Sequence, residues 1–248
     1  MRVKVCLGTG ALTGVNAFRF GWTSTTTYND VLRAFYDALY RMNAEVDFVD
    51  PSTTDLPAYK LSVVLGRYAA ADAEIERLNA FAKAGGHLLY TFKSGLSDEN
   101  VKVHSATQPR LIAEATGVKY NQFTIPVGVS LEADPYHVGA ADNMARWWMK
   151  LLTPTTGAVV AHYHHPVWGE YAAVTRNTYG KGEVPCVGFM PSAALTEKIV
   201  EKSVKRAGLW GQQQALHFPT IMRSGVLANE HSVHYILNYS AAPVQVTT

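Results

Sequence analysis

The chain has 248 residues, 48% hydrophobic and 17% charged, with a formal net charge of +2. That apolar share supports a sizeable core and excludes disorder, while so small and dispersed a charge excludes nucleic acid or an anionic membrane as partner. No apolar run reaches the roughly 20 residues of a membrane span and Met1–Val5 carries no apolar signal region, so the expected compartment is the cytoplasm.

Arg2 to Leu7 reads as a first strand. Gly8-Thr9-Gly10-Ala11-Leu12-Thr13-Gly14 follows it and looks like a dinucleotide fingerprint. The third glycine falls at the seventh position instead of the sixth, and no helix begins inside the motif to face a pyrophosphate. No cofactor is expected there. Phe18, Phe20 and Trp22 sit in the loop that follows, which has no periodicity of its own. Large apolar side chains in a long loop need a cover, and a partner subunit is the expected one.

Thr27 and Asp30 have capping-box spacing, and Val31, Leu32, Phe35, Leu39 and Met42 then mark one face of an amphipathic helix. Glu45 to Val49 is a short strand stopped by Asp50-Pro51, and Leu61 to Leu65 is another. Ala71 to Ala84 carries Ile75, Leu78 and Phe81 on one stripe and ends at Gly85-Gly86. His87 to Phe92 is a strand apolar on both faces. Strands alternating with helices predict an α/β fold with a mostly parallel sheet and right-handed crossovers.

Lys93 to Asn100 is a polar loop at the carboxyl end of a strand, where ligands of parallel sheets bind. Ser94 lacks the G-x-S-x-G elbow of a nucleophile, because Phe92 stands at the first glycine position. Pro109 to Thr116 reads as a helix closed by Gly117, Val118 to Ile125 as a strand or strand pair, and Pro126 to Gly139 as irregular. Asp142 to Leu152, with Met144, Trp147, Trp148 and Leu151 at helical spacing, is expected to be a helix. The Trp147-Trp148 pair reads as core or interface packing in preference to a sugar-stacking platform.

His162, His164 and His165 cluster at the end of a strand spanning Ala158 to His164, where His162 and His164 share a face. No third ligand stands at a recognised spacing, so no metal is expected. Tyr171 to Arg176 and Glu183 to Phe189 form an antiparallel pair whose Gly180-Lys181-Gly182 is turn chemistry. Ser192 caps a last helix bearing Leu195, Ile199, Val200 and Val204, which Gly208 ends. Trp210 to Gln214 reads as a linker. Two strands follow, Phe218–Gly225 and Val233–Ser240, with Val244–Val246 beginning a third. The expected division is an α/β domain over 1–208 and an incomplete β-domain over 209–248. Cys6 and Cys186 both lie in apolar strand patterns and are expected to be buried, reduced and slow to react.

An ordered set of motifs carries a resemblance. Tyr28-Asn29-Asp30, Tyr36–Leu39, Asn43–Pro51, Gly85–Leu88, Thr91–Gly95, Ala173–Asn177, Gly180–Gly182 and His234–Ser240 resemble the middle region of family 42 glycoside hydrolases, the bacterial β-galactosidases. The resemblance covers nearly all of the chain beyond the first two dozen residues. It implies a trimerisation domain, an amidotransferase-like α/β module without amidotransferase chemistry. In that family a (β/α)₈ barrel holds both catalytic glutamates, the acid/base in an Asn-Glu pair. The one such pair here, Asn229-Glu230, falls in a predicted hairpin turn. The resemblance therefore carries over no catalytic residue, and the chain is expected not to hydrolyse galactosides alone. It implies a homotrimer, with a catalytic barrel supplied by a full-length protein and Phe18, Phe20, Trp22, Trp147 and Trp148 as interface candidates. Two other readings stand beside it. One is a stand-alone amidotransferase-like small-molecule enzyme or binding domain. The other is a galactoside-binding accessory chain acting through Trp22, Trp147 or Trp168.

Overall fold

The computed structural model describes the backbone of residues 5–8 and, in full, residues 27–49 and 56–246. The first half is strand-helix alternation: β1 (Val5–Gly8), α1 (Tyr28–Arg41), β2 (Val46–Val49), β3 (Leu61–Val64), α2 (Asp72–Ala84) and β4 (His87–Tyr90). α1 begins where its cap predicts, with the Thr27 N–H and hydroxyl donating to Asp30 Oδ2 at 2.6 and 2.8 Å. α2 ends at Gly85, whose φ of 123° is open to glycine at little cost.

The second half is mostly β. It runs α3 (Ile112–Thr116), β5 (Val118–Lys119), β6 (Phe123–Thr124), β7 (Ser130–Leu131), β8 (Ala145–Lys150), β9 (Thr153–Pro154) and β10 (Ala158–His164). Then come β11 (Ala172–Tyr179), β12 (Gly182–Val187), β13 (Phe189–Pro191), α4 (Ala193–Arg206), α5 (Gln212–Ala215), β14 (Thr220–Val226) and β15 (Ser232–Asn238).

The main sheet has the order β2-β1-β3-β4-β12-β11-β10-β7. Its pairings are parallel from β2 through β12 and antiparallel from β12 to β7. The sheet is therefore mixed, less parallel than the opening alternation suggests, because a hairpin and its neighbours extend it at one side. Side chains alternate between two cores. Leu61, Val63 and Leu89 pack with α1 and α4, whereas Val64, Leu88 and Tyr90 pack with α2 and α3. Steps from β1 to β2 and from β3 to β4 run in opposite directions across the sheet, so right-handed crossovers place α1 and α2 on opposite faces.

One expected helix is a strand. The apolar spacing of Trp147, Trp148 and Leu151 suggests a helical period, yet residues 145–150 form β8, paired with β6 and β13. The register jumps between Phe189↔Met149 and Met190↔Arg146, and Trp147 takes φ 60°. A bulge of this kind breaks the two-residue alternation and leaves buried Ala145 and Trp148 three apart, which mimics a helix face. Aromatic bulk favours a pleated surface over a helix.

The tail also departs from expectation. Residues 212–215 form helix α5 within the supposed linker, and no strand forms at 244–246 among the described residues. The hairpin of β14 and β15 is present and docks on the body through Asn43, fully buried with φ 58°. Asn43 donates to the carbonyls of Leu216 and Thr220 at 3.3 and 3.2 Å, and its Oδ1 accepts from the Met222 N–H at 2.8 Å. A buried amide so satisfied fixes one geometry of tail on body.

Candidate functional site

The carboxyl ends of β3 and β4 bring together the polar groups that the sheet buries. Thr91 Oγ1 accepts from Gly66 N at 2.8 Å and donates to the Val64 carbonyl at 3.0 Å, locking the two strand ends together. Arg67 makes a bidentate pair with Glu74 at 2.6 Å for both bonds, and its N–H donates to Ser94 Oγ at 3.2 Å. Ser94 is thus buried with its hydroxyl engaged by backbone, and no histidine hydrogen-bonds it among the described residues.

Two lysines stand beside it. Lys93, fully buried with φ 60°, places its ammonium 4.0 Å from the centroid of the Trp148 ring. Lys150, at the end of β8, places Nζ 4.3 Å from the Tyr120 centroid and donates to the Ser94 carbonyl at 3.4 Å. Burial pushes Lys93 down to about 7, aided by the charge of Lys150, and pushes Lys150 down to about 8. Cys186, paired in register with Tyr90, is buried and its thiol is pushed up to about 11 by the same desolvation. Tyr90 and Tyr120 hydroxyls are also buried and raised well above the ordinary tyrosine range.

Cys186 offers no thiolate in such surroundings. A thiol needs its thiolate to react, and Cys186 is a thiol at neutral pH. Native protein at pH 7.5 is therefore expected to leave Cys186 unlabelled by a thiol reagent over hours, with full labelling in denaturant. Rapid native labelling at Cys186, located by peptide mapping, would overturn this. The side chain of Cys6 lies outside the described residues, but β1 stands three strand positions from β12, roughly 14 Å at about 4.8 Å per step. A disulfide needs Cα atoms within about 7 Å, so the two thiols cannot pair in this fold.

The histidines do not converge. His165 Nδ1 accepts the N–H groups of Val167 and Trp168 at 3.1 and 3.0 Å, and its ring stacks on Trp168 at 5.9 Å. His164 is exposed, and β10 bulges against β11 around Ala161 and His162. No group of three or more candidate metal ligands occurs among the described residues. Also among the described residues, no helix is long and apolar enough to cross a membrane.

Residues 17–210 match the family model of the β-galactosidase trimerisation domain. The chain belongs to that family, the middle domain of family 42 glycoside hydrolases. The β-galactosidase BgaB of a Geobacillus species is 30% identical over 175 residues, covering 71% of this chain and 26% of that protein. BgaH of Haloferax lucentense is 28% identical over 222 residues, covering 89% of this chain and 32% of its own. The crystal structure of the β-galactosidase from Bacillus circulans sp. alkalophilus superposes with a TM-score of 0.82 at 20% identity, over 97% of this chain and 36% of that one. This likeness is one of fold. The chain spans about a quarter to a third of the length of these relatives.

Within this trimerisation domain the interface candidates fall into two sets. Phe18, Phe20 and Trp22 lie outside the described residues. Trp148 is 2% exposed and belongs to the core, and Trp147 is half-buried against the same core. The exposed neighbour of Trp148 is Phe123, stacked on it at 4.3 Å. Beyond Phe123, Ile125 and Val127 are 52% and 88% exposed. The sequence reads as strand or strand pair through Ile125 and as irregular from Pro126, with no interface expected at either. The signal for it is an apolar residue at every second position, 123, 125 and 127. Lys150 was missed too, although a lysine within Trp-Trp-Met-Lys-Leu-Leu is a charge inside an apolar run.

Proposed function

We propose that this chain is the non-catalytic assembly region of a larger β-galactosidase, joining three copies whose catalytic barrels act on terminal β-D-galactosides. The family match over 17–210 carries the reading. It divides into an α/β domain over 1–208 and a β-domain portion over 209–248. Support for that boundary comes from the end of the family match at 210 and from Gly208, with φ 67°, behind α4. The order β2-β1-β3-β4-β12 is the 2-1-3-4-5 order of flavodoxin-like sheets. That order, with helices on both faces, supports an amidotransferase-like ancestry for a module that keeps the scaffold without its nucleophile. A cytoplasmic setting fits the free, buried thiol of Cys186.

A cyclic trimer requires a heterologous contact, one patch meeting a different patch. Phe18, Phe20 and Trp22 are one candidate patch, since three aromatics at about 150–250 Å² each supply a large part of a standard interface. Phe123, Ile125 and Val127 are the other, an apolar stretch exposed among the described residues. Light scattering during size exclusion across a concentration series is expected to show a trimer for the wild type. The double change Ile125→Asp/Val127→Asp, and separately Phe20→Ala/Trp22→Ala, are expected to give monomers with unaltered circular dichroism. A wild type that stays monomeric at tens of micromolar sinks the proposal for this chain. A trimer unmoved by both doubles removes these patches from the interface.

A further inference from the structure

Eight buried side-chain polar atoms have no hydrogen-bond partner among the described residues, and three of them are hydroxyls: Tyr90, Tyr120 and Thr175. Their placement is not scattered. Cys186 is the register partner of Tyr90 on one side and of Thr175 on the other, so the three side chains stand in a row on one face of the sheet. Tyr120 faces the same core, and its ring carries the Lys150 ammonium at 4.3 Å. Lys150 is 3% exposed, and among the described residues its ammonium makes one hydrogen bond, the 3.4 Å contact to the Ser94 carbonyl. No carboxylate pairs with it among the described residues. Glu74, the carboxylate whose charge acts on Tyr90, is already held bidentately by Arg67.

Burying an ammonium without a counter-charge costs several kcal/mol, and each orphaned hydroxyl adds to that. Native folds resolve such clusters with a bound water or ion. The groups here are a cation and three hydroxyls able to donate, together with a thiol, which is the donor set of an anion site. Arg67, the guanidinium beside Ser94, is already held bidentately by Glu74 and offers no fork to a carboxylate or phosphate, and Lys150, Tyr90, Tyr120 and Thr175 are all buried, which points to a small anion.

We propose that the carboxyl end of the sheet holds one small monovalent anion of the halide class, buried between the Lys150 ammonium and the hydroxyls of Tyr120, Tyr90 and Thr175. The anion neutralises a charge at the place where a parallel sheet normally takes a ligand. It is a structural ion, and its occupancy makes the stability of the domain sensitive to anions.

The full chain is exchanged into sodium gluconate and titrated with sodium chloride or sodium bromide at constant ionic strength, following Tm by circular dichroism. A saturable rise of about 3 °C or more with both halides is expected. The rise should vanish in Lys150→Met and shrink in Tyr120→Phe. If Lys150→Met fails to fold, Thr175→Val serves instead, since it removes one donor and keeps the volume. Crystals grown in bromide should show an anomalous peak beside Lys150 Nζ. A Tm that ignores halide at constant ionic strength overturns the proposal, as does a bromide-independent water cluster at the hydroxyls. A halide effect of equal size in Lys150→Met and Thr175→Val overturns it as well.

Discussion

Gly182→Ala is expected to cost 4 kcal/mol or more, close to the whole stability of an ordinary domain of about 5–15 kcal/mol. The reason is how the β11–β12 hairpin closes the end of α2. A helix leaves its last carbonyls without partners. Here the Lys181 N–H donates to the Lys83 carbonyl at 3.1 Å, so the hairpin turn caps the helix. The approach needs bare backbone. A Cβ on Gly182 would lie 2.0 Å from the Gly86 carbonyl oxygen and 2.4 Å from that of Ala82. One on Gly180, which holds φ 61°, would lie 2.4 Å from the Lys83 oxygen. None of these oxygens belongs to a flexible side chain, so the overlap must be relieved by separating the hairpin from the helix and pulling β12 from β4. Gly225→Ala is the control, because its Cβ would meet only Val233 Cγ1 at an ordinary 3.5 Å. Urea unfolding of the two variants decides the matter. A Gly182→Ala midpoint within error of Gly225→Ala would refute the capping account.

The same region shows what was legible from the residues. Gly180-Lys181-Gly182 announced a turn through its composition, but the sequence could not say that the turn would sit on Lys83, almost a hundred positions earlier. Elements with local determinants were readable: α1 from Thr27, Asp30 and its apolar stripe, α4 from Ser192, whose Oγ accepts the Leu195 N–H at 3.2 Å. Asn229-Glu230 does fall in the turn between β14 and β15, where Glu230 takes φ 66°. Elements decided by distant partners were not. β8 reads as a helix because its bulge, created by pairing with β13, imposes a spacing of three on Ala145 and Trp148. The candidate site suffered most, since its parts come from β4, β8, β11 and β12 and from Tyr120. Ser94 and the loop after Phe92 do follow the end of β4, as the sequence reads. Lys93 was seen as part of a polar loop, whereas the fold buries it completely against Trp148. Only the packing of β8 over the end of β4 brings Lys150 to Ser94, and no local pattern encodes that.

Stability in chloride-free buffer is expected to rise between pH 7 and pH 9, and Lys150→Met is expected to make that rise shallower above pH 8, where Lys93 alone then drives it. The sign follows from which state holds the proton. Burial lowers Lys150 from 10.5 to about 8 and Lys93 from 10.5 to about 7. Below its folded value each lysine is charged in both states, and the fold bears the full cost of a buried ammonium. Above it the unfolded chain binds a proton that the folded chain does not, so stability increases with pH by up to about 1.4 kcal/mol per pH unit for each lysine in its window. Other groups bound the usable range. His87, lowered by burial, gives a similar upward trend below its ordinary value of 6.5, so the scan starts at pH 7. Cys186, raised from 9.0 to about 11, keeps its proton in the fold longer than in the unfolded chain and opposes the lysines above pH 9. Tyr90 and Tyr120 do the same above pH 10. At pH 7 the Met side chain fills the place of the lysine stem without its charge, and the variant should exceed wild type by about 3 kcal/mol, the free-energy equivalent of the lowered lysine. Chloride should narrow that gap by stabilising wild type alone. Denaturant midpoints at pH 7, 8 and 9 for wild type and Lys150→Met test it, and parallel curves, or a variant less stable than wild type at pH 7, would show that the ammonium is not a buried cost.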